Sequence, residues 1–421
     1  MEKFRVEGGI RLTGRTRVHC AKNAVLPILA GAILADDPVT LLDCPDIADV
    51  NNMVRILHTL GCTVRGEGSE TLVDAATIQS DAMPEGLSKR LRSSVFMMGA
   101  LLGRMRRAVI PYPGGCEIGQ RPIDLHLAGL SALGVRIREE GGLVLCDGEH
   151  MRGGEVHLDY PSVGATENVM MAAARIPGRT VIHNAAREPE IADLQRFLNA
   201  CGARIEGAGS PTILIDGVSR MHGTIYRPMP DRIEAGTLLA AAAITGGEIE
   251  LMGAPVQELG AVTAKLRDMG CRVDSQPGRM RLSAPVRLSA PGQLLTQPYP
   301  GFPTDMQAQM LALSCVARGT SIITETVFEN RFTHVGDLRR MGADIVVKDR
   351  TAVVRGVGTL HGATVAARDL RGGAALMIAG LCAQGETVVE NAEIIDRGYE
   401  RLEETLTDLG ADVRRERQTD E

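Results

Sequence analysis

Apolar and polar residues follow a pattern along this chain that repeats six times. A five-residue segment with glycine second occurs as LGCTV at 60, LGVRI at 133, CGARI at 201, MGCRV at 269, MGADI at 341 and LGADV at 409. Before each copy, as in DLQRFLNACG, apolar residues recur every three to four positions. This pattern indicates an amphipathic helix that ends at the glycine and is followed by a strand. The sequence therefore predicts six copies of one structural unit.

A second kind of helix precedes each amphipathic one and carries almost no charge. Examples are LLAAAAITGG, DMQAQMLALSCVARG and GGAALMIAGLCAQG, and a short β-branched run such as TVIHNA or EIELMG separates the two helix types. Helices without a polar face are expected to be buried on all sides, whereas the charged ones can face solvent. Each unit of about 70 residues thus predicts strand, helix, strand, helix and two closing strands. Three such units could surround their shared buried helices, so six predict an α/β protein of two domains.

The order of the repeats predicts a discontinuous domain. The segment FRVEGGIRL precedes the first repeat and pairs more naturally with the last one. The stretch YRPMPDRIEAG, residues 226–236, falls midway through the repeats and contains two prolines. We therefore predict one domain over 22–229 and a second over 1–21 plus 230–421, with the active site in the cleft between them.

Composition and charge exclude several classes of function. A net charge of -6, 3% aromatic residues and no tryptophan make nucleic acid an unlikely partner. The nine cysteines lie at least 18 residues apart, which excludes a paired metal or redox motif and indicates reduced thiols in the cytoplasm. The longest apolar run, residues 24–35, is too short to cross a bilayer, and the sequence begins without a signal-peptide pattern.

One loop, PYPGGCEIGQRPID at 111–124, combines a thiol with an anion-binding side chain. Its glycines and prolines leave the backbone open around Cys116, and Arg121 presents a planar donor suited to carboxylate or phosphate. A cysteine is more often a small buried apolar residue. Here the flanking Gly115 and Glu117 favour exposure.

Several charged residues stand at predicted helix starts or repeat junctions. Each alone has an ordinary interpretation as a helix cap or an exposed side chain. Their shared placement instead predicts a cleft of unpaired positive charge that binds a ligand with phosphate and carboxylate groups. The cations are Lys22, Arg92, Arg121, Arg331, Arg371 and Arg397. Two further candidates, Asn23 beside Lys22 and Asp305, also stand at predicted helix starts.

Other site types are not supported by the motifs. The sequence has no GxxxxGK[ST], no GxGxxG in a strand and helix context, and no histidine pair at metal-ligand spacing. We therefore expect no metal and no cofactor. The residues alone indicate an anion-binding enzyme of two domains with one exposed thiol.

Eight motifs, in order along the whole chain, resemble the UDP-N-acetylglucosamine enolpyruvyl transferases, or UDP-N-acetylglucosamine 1-carboxyvinyltransferases. They are AKNA at 21, PGGCEIGQRPIDLH at 113, YPSVGATEN at 160, NAAREPEI at 184, PDRIEAGT at 230, FPTDMQAQ at 302, TETVFENRF at 324 and IDRGYERL at 395. The resemblance implies two inside-out α/β barrel domains, each of three βαβαββ repeats around buried helices, the enolpyruvate transferase fold.

The same resemblance implies a reaction and a setting. Enolpyruvate would pass from phosphoenolpyruvate to the 3-hydroxyl of UDP-N-acetylglucosamine, and phosphate would be released by addition and elimination through a tetrahedral ketal. This is the first committed step of peptidoglycan synthesis in the cytoplasm, so it would serve cell wall formation, cell shape and cell division. The family's thiol is alkylated by fosfomycin, an epoxide phosphonate.

Roles for single residues also follow from the resemblance. Cys116 would protonate the methylene carbon and help expel phosphate, and Asp305 would take the proton of the sugar hydroxyl. Lys22, Arg121 and Arg397 would hold phosphoenolpyruvate. The charged cleft would be completed by Arg92, Arg331 and Arg371. The sugar-nucleotide site would be lined by Asn23, Arg121, Pro122, Ile123, Asp124, Leu125, Pro161, Ser162, Val163, Gly164 and Val327.

Three alternatives stay open at this point. The enolpyruvyl transferase of the aromatic pathway shares the fold and the donor, but the PGGCEIGQRP loop argues against it. A non-catalytic sugar-nucleotide-binding paralogue is disfavoured because Cys116, Lys22, Asp305 and Arg397 are all present. An RNA-end-processing enzyme of similar repeats is disfavoured by the acidic pI and the few aromatic residues. The sequence leaves the oligomeric state open, and Glu117 leaves the acidity of the neighbouring thiol open.

Overall fold

The structure, a computed structural model, describes residues 2–67, 69–112 and 123–417, except the side chains of Glu67, Lys89, Arg90, Arg92 and Ser93. The loop predicted to carry the reactive thiol lies largely outside this range. Cys116, Arg121 and Pro122 are therefore not among the described residues.

The described strands form six sheets that share one topology. In five of them a short edge strand runs parallel to its neighbour, and the next two strands are antiparallel. In sheet order these are Thr13–Arg17, Glu248–Met252, Arg279–Ser283 and Arg272–Gln276; Gln293–Leu295, Thr320–Thr324, Thr351–Arg355 and Asp344–Lys348; Thr364–Ala366, Glu386–Glu390, Glu2–Glu7 and Asp412–Arg417; Ile225–Tyr226, Val39–Leu42, Glu70–Asp74 and Thr63–Glu67; and Glu155–His157, Arg179–His183, Thr212–Asp216 and Arg204–Glu206. The sixth contains Arg107–Pro111, Leu143–Asp147 and Arg136–Glu140, and a parallel bridge from Ala82 to Val109 takes the place of the edge strand.

Two kinds of helix alternate with these strands, as the sequence predicts. The described helices are α1 (Lys22–Ala32), α2 (Ala48–Thr59), α3 (Glu85–Arg90), α4 (Met97–Met105), α5 (Asp124–Ala132), α6 (Val163–Ala174), α7 (Pro189–Ala200), α8 (Arg232–Ile244), α9 (Gly260–Asp268), α10 (Gln307–Val316), α11 (Val335–Arg340), α12 (Leu370–Cys382), α13 (Ala392–Ile395) and α14 (Leu402–Asp408). Short 3-10 turns, Arg92–Phe96 and Thr304–Met306, lead into α4 and α10. The charge-poor helices are α1, α4, α6, α8, α10 and α12, and nearly all of their residues are buried.

Glycine ends the amphipathic helix in every repeat. All six of these glycines have φ between 90° and 99°, a region that strains residues with a Cβ atom. A left-handed residue directly after a helix turns the chain into the next strand. The predicted sequence of helix, glycine and strand is therefore confirmed at Gly61, Gly134, Gly202, Gly270, Gly342 and Gly410.

The strand Glu2–Glu7 completes the last repeat. It lies between Glu386–Glu390 and Asp412–Arg417 and is antiparallel to both. Phe4 on this strand is fully buried, and the guanidinium group of Arg415 lies 4.6 Å from the centre of its ring. The predicted pairing of the first strand with the last repeat is confirmed.

The described residues divide into two compact units, each with three sheets. Unit 1 takes in the described residues of Met1–His19 and Pro230–Glu421, and unit 2 takes in those of Cys20–Gly115 and Arg121–Met229. Each unit has its own hydrophobic core, built mainly from its three charge-poor helices. The predicted cleft location of the active site stays a prediction.

Several acidic residues on the amphipathic helices, Asp193 and Asp337 among them, depart from the expected solvent-facing placement. Asp193 on α7 is 2% exposed because it accepts hydrogen bonds from the Tyr226 hydroxyl and the Met229 backbone N–H, at 2.7 and 2.9 Å. Asp337 on α11 is 3% exposed and faces Arg368 at 3.6 Å. Both carboxylates therefore have partners that offset the cost of removing charge from water.

Among the described helices, none combines the length and the apolar composition that a membrane crossing would require.

Candidate active site

In unit 1, the carboxylate of Asp305 lies between two buried guanidinium groups. Asp305 belongs to the 3-10 turn that leads into α10, a placement set by Pro303 at the turn's N-cap. Arg331 Nη2 donates to Asp305 Oδ1 at 2.6 Å, and Arg371 Nη2 donates to Oδ2 at 3.1 Å. Both arginine side chains are 4% exposed, whereas the Asp305 side chain is 25% exposed. The two cations stabilise the ionised carboxylate while leaving part of it accessible.

A buried glutamate organises the turn that carries Asp305. Glu325, 1% exposed, follows the strand Thr320–Thr324. Its carboxylate accepts hydrogen bonds from the hydroxyls of Thr296 and Thr304 at 2.9 and 2.8 Å. It also accepts from the backbone N–H groups of Val327 and Phe328 at 2.8 and 3.0 Å. One side chain therefore fixes both Thr304, next to Asp305, and the predicted sugar-site residue Val327.

Arg331 connects this network to the Asp305 carboxylate. Its Nη1 donates to Thr304 Oγ1 at 2.9 Å, while its Nη2 reaches Asp305. The guanidinium group also lies 5.0 Å from the centre of the Phe328 ring. Arg331 is therefore held by a hydroxyl, a carboxylate and an aromatic face, which restricts it to one orientation.

Arg371 is fixed at the start of α12. The Asp369 side chain caps this helix by accepting from the backbone N–H of Arg371 and of Gly372, at 3.0 and 2.8 Å. The Arg371 guanidinium lies 5.1 Å from the centre of the Tyr399 ring. Burial lowers the pKa of Arg371, but Tyr399 and Asp305 raise it more, so the net shift is upward. Arg397 lies half-buried in the turn after α13, two residues before Tyr399.

In unit 2, Lys22 forms a buried ion pair. It is the first residue of α1, and its Nζ lies 2.6 Å from Asp49 Oδ2 in the first turn of α2. The Lys22 and Asp49 side chains are 12% and 2% exposed. Asn23 follows on α1 and is half-buried. The ion pair fixes where the ammonium group lies at the helix start.

The N-terminal ends of α5 and α6 meet at Gly164. A Cβ atom on Gly164 would lie 2.8 Å from the His126 ring and 3.4 Å from the Phe96 ring, so this close approach requires glycine. The adjoining Ser162 caps α6, and its Oγ accepts from the Ala165 backbone N–H at 3.3 Å. The first backbone N–H groups of a helix have no acceptor within the helix and can donate to a ligand, so this region suits a negatively charged ligand.

An asparagine holds the helices around Gly164 together. Asn168 Oδ1 accepts from the Gly99 backbone N–H at 2.6 Å, so its Nδ2 is the donor to Val95 O at 3.1 Å and to His126 Nδ1 at 2.7 Å. His126 is therefore neutral, with its proton on Nε2. Burial lowers the pKa of His126 to about 4, in agreement with this assignment.

The remaining predicted site residues of unit 2 occupy other helix starts. Ile123 is the buried N-cap of α5, Asp124 is exposed in its first turn, and Leu125 is half-buried. The Arg92 backbone begins the 3-10 turn before α4. Pro161 and Val163 are half-buried at either side of the α6 cap.

The structure thus groups the described site residues within each unit. Asp305, Arg331 and Arg371 are in direct contact in unit 1. The expectation of unpaired positive charge is wrong for Lys22, Arg331 and Arg371, because each forms an ion pair with a carboxylate. A buried cation without a partner would carry a large desolvation cost.

Sequence reasoning missed Glu325 and Asp49, the two carboxylates that position predicted residues. Glu325 stands in TETVFENRF, directly after a β-branched strand, and a charged residue in the loop that follows a strand is a candidate functional position. Asp49 carries no such signal, because an acidic residue in the first turn of a helix is common.

Comparison with known proteins identifies the family. A family model described as EPSP synthase (3-phosphoshikimate 1-carboxyvinyltransferase) matches residues 6–406. UDP-N-acetylglucosamine 1-carboxyvinyltransferase 2 of Caldanaerobacter subterraneus subsp. tengcongensis is 52% identical over 98% of this chain and 99% of its own. UDP-N-acetylglucosamine 1-carboxyvinyltransferase 1 of Symbiobacterium thermophilum is 52% identical over 98% of this chain and 95% of its own.

Solved structures confirm the predicted enolpyruvate transferase fold. The enolpyruvyl transferase NikO from Streptomyces tendae is similar with a TM-score of 0.89 and 26% identity, over 98% of each chain. EPSP synthase from Acinetobacter baumannii has a TM-score of 0.74 at 16% identity, over 99% of this chain and 100% of its own, which supports the fold alone. The chain therefore belongs to the EPSP synthase family of enolpyruvyl transferases, among its UDP-N-acetylglucosamine 1-carboxyvinyltransferase members.

Proposed function

We propose that this enzyme transfers enolpyruvate from phosphoenolpyruvate to the 3-hydroxyl of UDP-N-acetylglucosamine and releases phosphate. The observation that carries the proposal is the accessible carboxylate of Asp305, held between Arg331 and Arg371 at the start of a buried helix. A carboxylate in this position can accept a hydroxyl proton, and cations beside it suit an anionic substrate. The names of the 52% identical relatives support the same reaction.

The reaction runs as an addition followed by an elimination. Asp305 accepts the proton of the sugar hydroxyl while the hydroxyl oxygen forms a bond to C2 of phosphoenolpyruvate. Cys116 delivers a proton to the C3 methylene. In the resulting ketal, the bond from C2 to the phosphate oxygen breaks. Loss of a proton from C3 restores the double bond, so the products are the enolpyruvyl ether and inorganic phosphate.

Several charged residues predicted from the sequence contribute to substrate binding in this proposal. Lys22, Arg121 and Arg397 hold the phosphate and carboxylate of phosphoenolpyruvate. The ion pairs of Lys22 and Arg331 with carboxylates keep these cations oriented before substrate arrives. The helix starts around Gly164 and Ile123 suit the sugar nucleotide. The family resemblance assigns Arg92 a role in the charged site.

The aromatic-pathway reaction is the second candidate, because the family model carries the name 3-phosphoshikimate 1-carboxyvinyltransferase. Two observations favour the sugar nucleotide. The relatives named for UDP-N-acetylglucosamine are 52% identical over nearly the whole chain, whereas the solved EPSP synthase is 16% identical. The PGGCEIGQRP segment also supplies a thiol in the position expected for an acid.

The biological setting follows from the proposed reaction. We propose that the enzyme acts in the cytoplasm at the entry to peptidoglycan synthesis, serves cell shape and division, and is a target of fosfomycin. The eight described cysteines are all free, which suits a reducing compartment.

Phosphate release from the purified full-length protein tests the proposal. We expect release with phosphoenolpyruvate and UDP-N-acetylglucosamine together, and none when either is omitted. Shikimate 3-phosphate in place of the sugar nucleotide should give none. If phosphoenolpyruvate gives phosphate release with shikimate 3-phosphate but not with UDP-N-acetylglucosamine, the second candidate is favoured. No release with either acceptor would contradict both candidate functions.

A further inference from the structure

Three side chains that can bind a metal ion meet on the outer face of one sheet in unit 2. Glu155 and His157 lie on the edge strand Glu155–His157, and His183 ends the neighbouring parallel strand. His157 and His183 are direct partners across the two strands. The residues between them in the pleat, Val156 and Ile182, are fully buried, so the three candidate ligands share the outward face.

The ligand atoms are already close together. His183 Nε2 lies 2.5 Å from Glu155 Oε2, and one ligand atom from each of the three side chains lies within 4.8 Å of the others. The two imidazole rings are stacked, with centroids 4.3 Å apart and an angle of 13° between their planes. Ligand atoms of a tetrahedral zinc ion are about 3.4 Å apart. Shifts of about 1 Å would bring the ligand atoms to this spacing. The Glu155 and His183 side chains are 62% and 37% exposed, which leaves them room to move.

We propose that Glu155, His157 and His183 bind one divalent transition-metal ion of the zinc class. Imidazole nitrogen favours Zn²⁺, Co²⁺, Ni²⁺ and Cu²⁺, whereas Mg²⁺ and Ca²⁺ prefer oxygen ligands throughout. Three protein ligands leave a fourth position for water, as in open zinc sites.

The local charge favours a cation. Glu155 supplies a negative charge directly at the site. The nearest basic side chain on the same strand, Arg179, stands four residues from His183 and is paired with Asp216 through two hydrogen bonds of 2.7 and 2.8 Å. Four residues along a strand span about 13 Å, so a neutralised guanidinium at that distance does not repel the ion appreciably.

The site escaped the search for metal-ligand spacing because its ligands come from two strands. His157 and His183 are 26 residues apart, and the buried helix α6 lies between them in sequence. The parallel register of the strands brings the two rings together.

Titration of the full-length protein with Co²⁺ tests the proposal. We expect one equivalent to bind with a visible d–d absorption spectrum and without a thiolate-to-cobalt charge-transfer band, and Zn²⁺ but not Mg²⁺ to displace it. Each of His157→Asn, His183→Asn and Glu155→Gln should weaken binding at least tenfold. His150→Asn removes another exposed histidine of unit 2 and should leave the affinity unchanged.

Thermal unfolding in EDTA shows whether each variant is folded before the titrations are compared. If one histidine variant is unstable, the other and Glu155→Gln decide the question. Equal affinities of the wild type and the three variants would overturn the proposal, as would no binding by the wild type. A thiolate band would place the ion at a cysteine and overturn it as well.

Discussion

Replacing Glu325 with glutamine should weaken both the fold around Asp305 and the reaction. Glutamine keeps the shape of the side chain but removes its charge and places an NH₂ group where one carboxylate oxygen accepted a bond. If that group faces Thr304, whose oxygen already accepts from Arg331 at 2.9 Å, the threonine hydrogen loses its acceptor. A bond to a charged group contributes about 1.5 to 3 kcal/mol, and the three remaining bonds become weaker ones to a neutral acceptor. We expect Glu325→Gln to lower the free energy of unfolding by about 2 to 4 kcal/mol.

Turnover distinguishes positioning from stability alone. Because Thr304 adjoins Asp305 and contacts Arg331, we expect Glu325→Gln to lower kcat at least tenfold at a temperature where the variant remains folded. The matched control is Glu329→Gln, an exposed glutamate on the same segment whose ion pair with Arg350 spans 3.5 Å. The control should change the free energy of unfolding by less than about 0.5 kcal/mol.

Denaturant unfolding and steady-state kinetics measure both effects. An unchanged kcat with reduced stability would restrict Glu325 to a structural role. Stability and kcat equal to those of the control would refute the reasoning from its four hydrogen bonds.

Four further changes test other parts of the structure. Cys116→Asp should keep substantial turnover, measured as phosphate release, because a carboxylic acid can also donate a proton, whereas Cys116→Ala should lose most of it. Cys116→Asp should also resist fosfomycin because it lacks the thiol, and mass spectrometry should detect no adduct on it. An Asp variant as inactive as the Ala variant would contradict the role of Cys116 as a proton donor. Arg397→Ala should raise the Kd of phosphoenolpyruvate about 30-fold, equivalent to about 2 kcal/mol, and affect the sugar nucleotide less; equal weakening in calorimetry would contradict this role. The hydrogen bond to Glu234 raises the pKa of His19 to about 8. The stabilisation from protonated His19 is therefore complete below about pH 6.5 and is lost as the pH rises through about 8. The free energies of unfolding of the wild type and His19→Gln should therefore converge at high pH. A difference between them that stays constant with pH would contradict this prediction. Gly99→Ala should lower the free energy of unfolding by about 3 kcal/mol, because the new Cβ would lie 2.2 Å from a backbone oxygen, whereas Gly336→Ala, with open space around it, should raise it by about 0.5 to 1 kcal/mol; equal effects of the two would contradict the packing argument.

The repeats were predictable because their signals are local. A helix without charged residues, such as α10, is expected to be buried wherever it lies in the fold, and a glycine such as Gly61 determines a turn by its own φ. Even the pairing of Glu2–Glu7 followed from counting strands in the repeat. These features depend on neighbouring residues or on periodicity, and both are readable in one sequence.

The site was predictable only in part. Lys22 and Arg331 were predicted because several cations share a placement at helix starts or repeat junctions, and Asp305 was predicted because its motif resembles that of the family. Their ion partners depend on which loops meet in three dimensions, so neither Asp49 as the partner of Lys22 nor the two arginines on Asp305 followed from spacing. Glu325 was passed over because its role lies in four hydrogen bonds to distant and local groups rather than in a motif.

The place of Glu2–Glu7 inside the last sheet has a consequence for synthesis on the ribosome. This strand is made before unit 2, but both strands that flank it, Glu386–Glu390 and Asp412–Arg417, are made after it. All the residues of unit 2 have therefore been synthesised, and can fold, before the two strands that pair with Glu2–Glu7 in unit 1 have been made. The contacts that close unit 1 join positions about 400 residues apart, and such distant contacts form slowly. During that interval the strand lacks both of its hydrogen-bonding partners, and an unpaired strand of this kind can pair with another chain.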